Sequence, residues 1–484
     1  MTWLAATPVL VPLITVVATA LAHRHPRLQN ALSLLGVLVF LVCALALVAV
    51  AHQGQAAQTV FGDWGVPYGI EFYIDRLSAA MVLITAFMGF VCLVFLASDA
   101  DTGPRHPLLL PLLHGVLVGA GGAFATADLF NLYVWFEVML VAAMGLFALG
   151  GRVDQLDATF KYYVINIFGT LFFLIAVAMV YSATGHLNYS AVAQASAYLS
   201  TGMITLLAAG MLLSFLIKSA AFPMFSWLPA SYHTLPAPVL ALFAALLTKV
   251  GVYAVLRTLS DIFVLAPDVV FEVLGWIAVG SMLFGVIGAA YHWDMRRILA
   301  FHSVSQIGYI LLAVALSSQA GNVAALFYIV HHSIVKANLF LIAAIIWRLS
   351  GDYDLRRIGG LYKTQPLLAI MFFLVAMSLV GIPPFTGFWS KVLVVHETIA
   401  QGRIVWTFFA LLVSVLTLYS MAKIWMEAFW KPHPDKNWKL PQNTRLAPAY
   451  AATLGLTALM LVISLNPQPL IAYAQAAAQT LGVP

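Results

Sequence analysis

The sequence predicts an all-α polytopic membrane protein of about fourteen transmembrane helices. Three observations carry that prediction. Of 484 residues, 63% are hydrophobic and only 8% charged, where soluble domains carry about a quarter charged residues. The mean hydropathy is +0.97. Apolar windows of spanning length recur near 3–22, 31–51, 75–97, 108–126, 128–149, 159–181, 203–222, 233–256, 269–290, 297–317, 321–347, 366–390, 403–427 and 447–464. The weakest division is the short link Thr126–Asp128 between the fourth and fifth.

Loop charge agrees with this count. Arg24 and Arg27, Arg105, Arg152 and Lys161, Arg296 and Arg297 all follow odd-numbered helices. So do Arg348, Arg356, Arg357 and Lys363, then Lys431, Lys436, Lys439 and Arg445. The other side keeps only Arg76, Arg257 and Arg403. The positive-inside rule therefore places both termini outside the cytoplasm. The pI of about 9.1 reads as that loop charge and not as a nucleic-acid surface, so the bilayer is the expected partner and nucleic acid is not. Cys43 and Cys92 lie in apolar runs without disulfide or metal spacing. The first apolar run lacks a basic flank and a small-residue cleavage site, so it is expected to stay as a helix.

Two segments read as something other than spans. Residues 53–73 (QGQAAQTVFGDWGVPYGIEFY) are too polar to cross and suit an extracytoplasmic hairpin or loop. Residues 186–199 are uncharged and mildly amphipathic, which suits a short interfacial helix.

The chain is organised around residues 206–229, LLAAGMLLSFLIKSAAFPMFSWLP. An apolar helix places Lys218 deep in the bilayer, and Pro223 and Pro229 then break the run. Proline frees backbone carbonyls that hydrocarbon cannot satisfy but a wet cavity can, and a buried ammonium needs a partner or water. Predicted helix twelve repeats the pattern in GIPPFTGFWSK, where Pro383 and Pro384 precede Lys391. The two broken helices lie five helices apart, and an odd repeat inverts its orientation. Helices four to eight and nine to thirteen are therefore expected as two inverted five-helix repeats. The divisions are 1–107 for the peripheral helices one to three, 108–257 and 268–430 for the repeats, and 431–484 for the last helix and a short tail.

The other candidates are ionisable residues inside predicted spans. Glu137 is the acid nearest the middle of any helix; it reads as a partner for Lys218, in a working pair or in a purely structural one. Lys249 has apolar flanks on both sides and reads as a relay. His233, at a helix start, reads equally as a cap, an interfacial residue or a relay. His332 and Lys336 share one helix face with Tyr328, while His331 points about 100° away. His302, Ser305, Gln306 and Tyr309 form a second polar stripe. Such stripes can pack helices through hydrogen bonds, or hold a water wire served by imidazoles. Lys391 repeats the logic of Lys218 near an expected helix end. Asp128, Arg76 and Lys161 read as interfacial or packing residues. Adjacent histidines beside a lysine oppose metal binding, and no phosphate loop, nucleophile elbow or haem motif occurs. No metal site, catalytic group or cofactor is expected.

Six stretches taken together resemble a known family: FNLYVWFEVMLVAAMGL around Glu137, LIKSAAFPMFSWLP around Lys218, PAPVLALFAALLTKVGVY around Lys249, FHSVSQIGYI, HHSIVKANLF and GIPPFTGFWSK. They resemble, in order over residues 70–430, the antiporter-like membrane subunits of respiratory complex I, membrane-bound hydrogenases and Mrp-type cation/proton antiporters. Within that superfamily the chain is most similar to D-type Mrp subunits. The resemblance implies fourteen helices with two inverted repeats, Glu137 and Lys218 as the coupling pair, Lys249 as the bridging lysine, His332 and Lys336 as a central relay, and Lys391 as the terminal group. The chain stops at Pro484 without the lateral helix or extra domains of larger relatives, which favours a D-type or a middle complex I-type subunit. The resemblance further implies a secondary transporter subunit in a bacterial-type cell membrane, moving protons and sodium beside other Mrp membrane subunits. A redox-driven proton-pumping subunit of complex I or a hydrogenase is the alternative. A further alternative is a non-transporting scaffold subunit.

Overall fold

The computed structural model describes residues 2–66, 68–98, 106–441 and 446–481. Arg105 and Arg445 lie outside the described residues. Each predicted span is met by a helix. These are α1 (Thr7–Leu21), α2 (Pro26–His52), α3 (Arg76–Leu96), α4 (Leu109–Ala125), α5 (Leu129–Ala148), α6 (Val153–Thr184), α7 (Tyr189–Ser196), α8 (Thr201–Lys218), α9 (Trp227–Ser231) and α10 (Ala237–Arg257). There follow α11 (Asp268–Tyr291), α12 (Met295–Ala315), α13 (Gln319–Ser350), α14 (Leu361–Thr364), α15 (Pro366–Val380), α16 (Thr386–Ala400), α17 (Ile404–Ile424), α18 (Ala447–Leu465) and α19 (Gln468–Ala478). Twelve of the described helices are long and apolar enough to cross a membrane; α4 and α15 are apolar but shorter.

Burial separates an inner wall from a lipid-facing ring. The most apolar window of α10 is wholly buried and those of α12 and α13 are 94% buried, against 28% in α2. The candidate residues Lys249, His302, His332 and Lys336 all lie on these three inner helices, where protein and not lipid surrounds them.

The link at Thr126–Asp128 is a true break. Thr126 and Asp128 are extended, and the Asp128 side chain caps α5 by accepting from the Asn131 N–H at 2.7 Å. Residues 53–73 contain the first strand of an antiparallel hairpin and most of the second: β1 (Ala57–Val60) pairs with β2 (Glu71–Ile74). The hairpin seats on the α4–α5 link, where the Ala127 N–H donates to the Glu71 carbonyl at 2.9 Å. The uncharged stretch 186–199 holds the short helix α7.

Both expected breaks are present. Helix α8 stops at Lys218, and Trp227 Nε1 turns back to donate to the Ile217 carbonyl at 3.0 Å, satisfying one group freed by the break. Gly251 of α10 admits this turn: a Cβ there would lie 2.6 Å from Ser219 Oγ and 2.7 Å from its nitrogen. Predicted helix twelve is two helices, α15 and α16, separated at Gly381–Phe385. Lys391 therefore lies inside α16 and not at the end of one long span, because Pro383 and Pro384 terminate the first segment.

Two further expectations change. Arg257 is not a loop charge: its side chain is 8% exposed and ion-paired with Asp75 and Asp261. The tail after α18 is not a loose end, since α19 packs on α3 and α13. Arg76 holds it by donating to the Ala476 carbonyl at 3.0 Å, and the Tyr473 hydroxyl donates to the Arg76 carbonyl at 2.8 Å.

Candidate functional site

Lys218, the last residue of α8, is buried, and its ammonium donates to the Asn166 carbonyl at 3.0 Å and to Thr170 Oγ1 at 3.4 Å, both on α6. Glu137 Oε1 is buried with no protein hydrogen-bond partner. Among the described residues no ion pair joins the two; the expected contact pair is open. Glu137 still lies within electrostatic reach of Lys218, and the Phe136 ring beside it stands 5.8 Å from the ammonium.

Lys249, His332 and Lys336 come together in the centre. Lys249 donates to the Ala244 carbonyl of its own helix, and Lys336 reaches across to the Leu299 carbonyl of α12 at 2.7 Å. His332 lies within electrostatic reach of Lys249, Lys336 and His331, and neither of its ring nitrogens has a protein partner. The Ser333 hydroxyl ties α13 to α10 by donating to the Ala245 carbonyl at 3.0 Å.

The second polar stripe leads outward to the second break. His302 Nε2 lies 2.5 Å from Ser420 Oγ, and Tyr328 donates to Gln306 Oε1 at 2.6 Å. The Tyr309 hydroxyl is 2.9 Å from Ser414 Oγ, which accepts from Lys391 at 3.0 Å; Lys391 also donates to the Val380 carbonyl at 2.7 Å. That carbonyl ends α15, so the break supplies a ligand for the lysine. His331 Nδ1 reaches Thr386 Oγ1 at 2.8 Å, the first residue of α16. Ser305 Oγ, Gln306 Nε2, His302 Nδ1 and His331 Nε2 remain buried without protein partners.

His233 stands apart from this series. It lines a cavity of about 500 Å³ with Asp154, Asp157, Lys161, His292 and Arg297, and its Nε2 is 3.3 Å from Arg297. Burial, then the neighbouring Arg297 charge, push its imidazole below the ordinary value. Lys161 pairs with Asp157 on the exposed face of α6, and Asp128 is a helix cap whose carboxyl burial pushes up.

Sequence reading missed two hydroxyls of α17, Ser414 beside Lys391 and Ser420 beside His302. Six residues apart, they lie about 120° apart around the helix, so their spacing marks no single polar face. It also missed the Asp75–Arg257 pair, whose partners are separated by 182 residues.

Fold and site together define a polytopic membrane protein with a series of buried lysines and histidines running between two broken helices. Residues 126–417 match the family described as NADH:quinone oxidoreductase/Mrp antiporter, TM. The D-type subunit of the Na(+)/H(+) antiporter of Alkalihalophilus pseudofirmus is 38% identical over 467 residues, covering 96% of this chain and 94% of that protein. Its counterpart from Bacillus subtilis is 34% identical, with 98% and 96% covered. A chain in the structure of the Mrp complex from a Dietzia species superposes with a TM-score of 0.90 at 32% identity, covering 99% of this chain and 98% of that one. The chain belongs to the NADH:quinone oxidoreductase/Mrp antiporter transmembrane family.

Proposed function

We propose that this chain is the proton-translocating subunit of a sodium/proton antiporter complex, assembled with other membrane subunits of the Mrp type. One observation carries the reading: Lys218, Lys249, His332, Lys336 and Lys391 form a buried series, with the half-buried Glu137 at its start, in which each ammonium is held by carbonyls or hydroxyls and not by a carboxylate. A lysine held by neutral acceptors can give up its proton without leaving a buried counter-charge behind, whereas a tight ion pair resists that step. The unpartnered atoms of His302, Ser305, Gln306, His331 and His332 are the polar lining that internal water needs.

In this reading Glu137 sets the protonation of Lys218 through space, Lys249 bridges to His332 and Lys336, and Lys391 ends the series through Ser414 and Tyr309. His233 lies at the mouth of the basic side. The two breaks, each beside a buried lysine, support the inverted repeats and a total of fourteen spans that includes α4 and α15. Loop charge supports extracytoplasmic termini. Transported protons and sodium are the only small species the reading requires. The relatives' names favour cation exchange over the redox-driven alternative.

The test is cation/proton exchange in membrane vesicles. Glu137→Ala or Lys218→Ala abolishes exchange while the complex still assembles; full exchange in both variants sinks the assignment and favours a scaffold role.

A further inference from the structure

A second buried polar seam runs outside the lysine series, where α18 packs against α13 and both meet the broken pair α15 and α16. On α18, Thr453, Thr457 and Ser464 are buried, and their spacing puts them on one face, with Tyr450 a turn before them. On α13, His331 and Asn338 stand seven residues apart and share a face. That face lies at least about 100° round the helix from the one carrying His332 and Lys336.

Hydrogen bonds join these faces at two levels. Asn338 Nδ2 donates to Thr457 Oγ1 at 2.9 Å. Two turns further along α18, Ser464 Oγ accepts from the Thr386 N–H at 2.9 Å, and Thr386 Oγ1 lies 2.8 Å from His331 Nδ1. Each α18 hydroxyl spends its own proton on a carbonyl one turn back: Thr453 on Ala449 at 3.0 Å, Thr457 on Thr453 at 2.8 Å and Ser464 on Met460 at 2.7 Å. Their oxygens are therefore left to accept. The outer end of the seam faces the basic loops. Helix α18 begins at Ala447, after Lys431, Lys436 and Lys439, and the half-buried Tyr450 donates to Gln365 Oε1 at 2.9 Å, two residues beyond Lys363.

Hydroxyls that only packed these helices together would leave the seam saturated. It is not. Asn338 is fully buried and its Oδ1 has no protein partner; His331, also buried, has none at Nε2. Water is the small ligand that satisfies such bare atoms. A cation stripped of its hydration is a poor match, because the seam's side chains other than His331 are neutral.

We propose that the α13–α18 seam is a water-filled branch through which His331, at the α15–α16 break, exchanges protons with the side of the basic loops. His331 lies within electrostatic reach of Lys391, so the branch serves the terminal lysine without passing Lys218 or Lys249. The two levels are about 10.5 Å apart along α18. Between them lies the buried Met460, whose unbranched side chain can swing aside to join them. The inference deepens the proposed proton translocation and rests on it, by giving the second broken helix its own access to water.

The experiment is thiol labelling of the assembled complex in membrane vesicles with a small cationic methanethiosulfonate, read site by site by mass spectrometry of this chain. The buried Cys92 of α3 is the internal dry reference. Thr457→Cys reacts at least about tenfold faster than Cys92, and adding Asn338→Leu cancels that advantage. In the vesicle assay Asn338→Leu slows cation/proton exchange about tenfold. Asn338→Ser, which keeps a polar group and leaves room for water, slows it about threefold. Should Asn338→Leu fail to assemble, Thr457→Val takes its place in the exchange assay. A thiol at 457 no more reactive than Cys92, or unchanged exchange in Asn338→Leu, overturns the branch and leaves the seam a packing feature. If Lys218→Ala keeps full exchange while Asn338→Leu slows it, the lysine path falls and the branch stands. If Lys218→Ala abolishes exchange and Asn338→Leu does not change it, the branch alone falls.

Discussion

The Lys218 ammonium sits 3.0 Å from the Asn166 carbonyl and makes no ion pair with Glu137. A carbonyl cannot follow the lysine through a change of charge, so in the proposed function the proton on Lys218 answers to the charge of Glu137. That role needs a titrating lysine at 218 and not a fixed positive charge.

Lys218→Arg separates the two. Arginine keeps the charge and can still donate to Asn166, but it does not release its proton at any physiological pH. Exchange in vesicles is expected to fall at least about a hundredfold, as in Lys218→Ala, with assembly retained. Near-normal exchange in Lys218→Arg would show that only a static charge is needed there.

At the other end, Ser414 stands between Tyr309 and Lys391, 2.9 Å from the phenol oxygen and 3.0 Å from the ammonium. Tyr309→Phe removes the outer hydroxyl without emptying the space its ring fills. Exchange is expected to slow by about tenfold, with a stability loss of no more than the ~1 kcal/mol of the hydrogen bond that the hydroxyl donates to the Ala410 carbonyl. A larger loss of stability than of exchange would make Tyr309 a packing residue.

The helices and both breaks were legible because each follows from local sequence: an apolar window of spanning length, or prolines that remove backbone donors. The burial of Arg257 was not. VLRTLSDIF reads as a helix running out into a loop, and nothing near it announces that Asp75 will meet it from α3. The same limit applied to Glu137 and Lys218. Their types and depths were readable, but the side chains' separation depends on how α5, α6 and α8 pack. Helix α19 escaped because its alanine-rich, proline-led sequence has too little apolar length to stand out, and its hold comes from Arg76 and a docking face on α3 and α13.

Gly387 bears on the second break. A Cβ at this position would lie 1.7 Å from the Ser378 carbonyl oxygen and 3.1 Å from His331 Cε1. Gly387→Ala must therefore push α16 off α15 and disturb the His331–Thr386 contact, at a cost of about 3 kcal/mol. Thermal unfolding of the purified complex is the measurement, with Gly455→Ala as reference, since a Cβ at Gly455 meets nothing within 4 Å. Equal midpoints for the two variants would mean that α15 and α16 have room to separate at little cost.

The Asp75–Arg257 pair makes stability depend on acid. Burial by itself would raise the Asp75 carboxyl, but the Arg257 guanidinium, by charge and hydrogen bond, together with Ser78, outweighs burial and holds the group below the ordinary carboxylate range. A folded-state value below the unfolded one, about 3.9 for Asp, means that the stabilisation is fully present above the unfolded value. It is lost as pH falls through the folded value. Among the described residues Asp75→Asn leaves Arg257 only Asp261 as a charged partner, and breaking one buried pair costs about 3 kcal/mol. At pH 7 the variant is therefore expected to unfold at lower temperature than the wild type. The gap narrows as pH drops below the unfolded carboxylate value, because the wild type then loses the same interaction by protonation. A deficit that stays constant from pH 7 to pH 3 would place the effect in packing around α3 and not in the charge of Asp75.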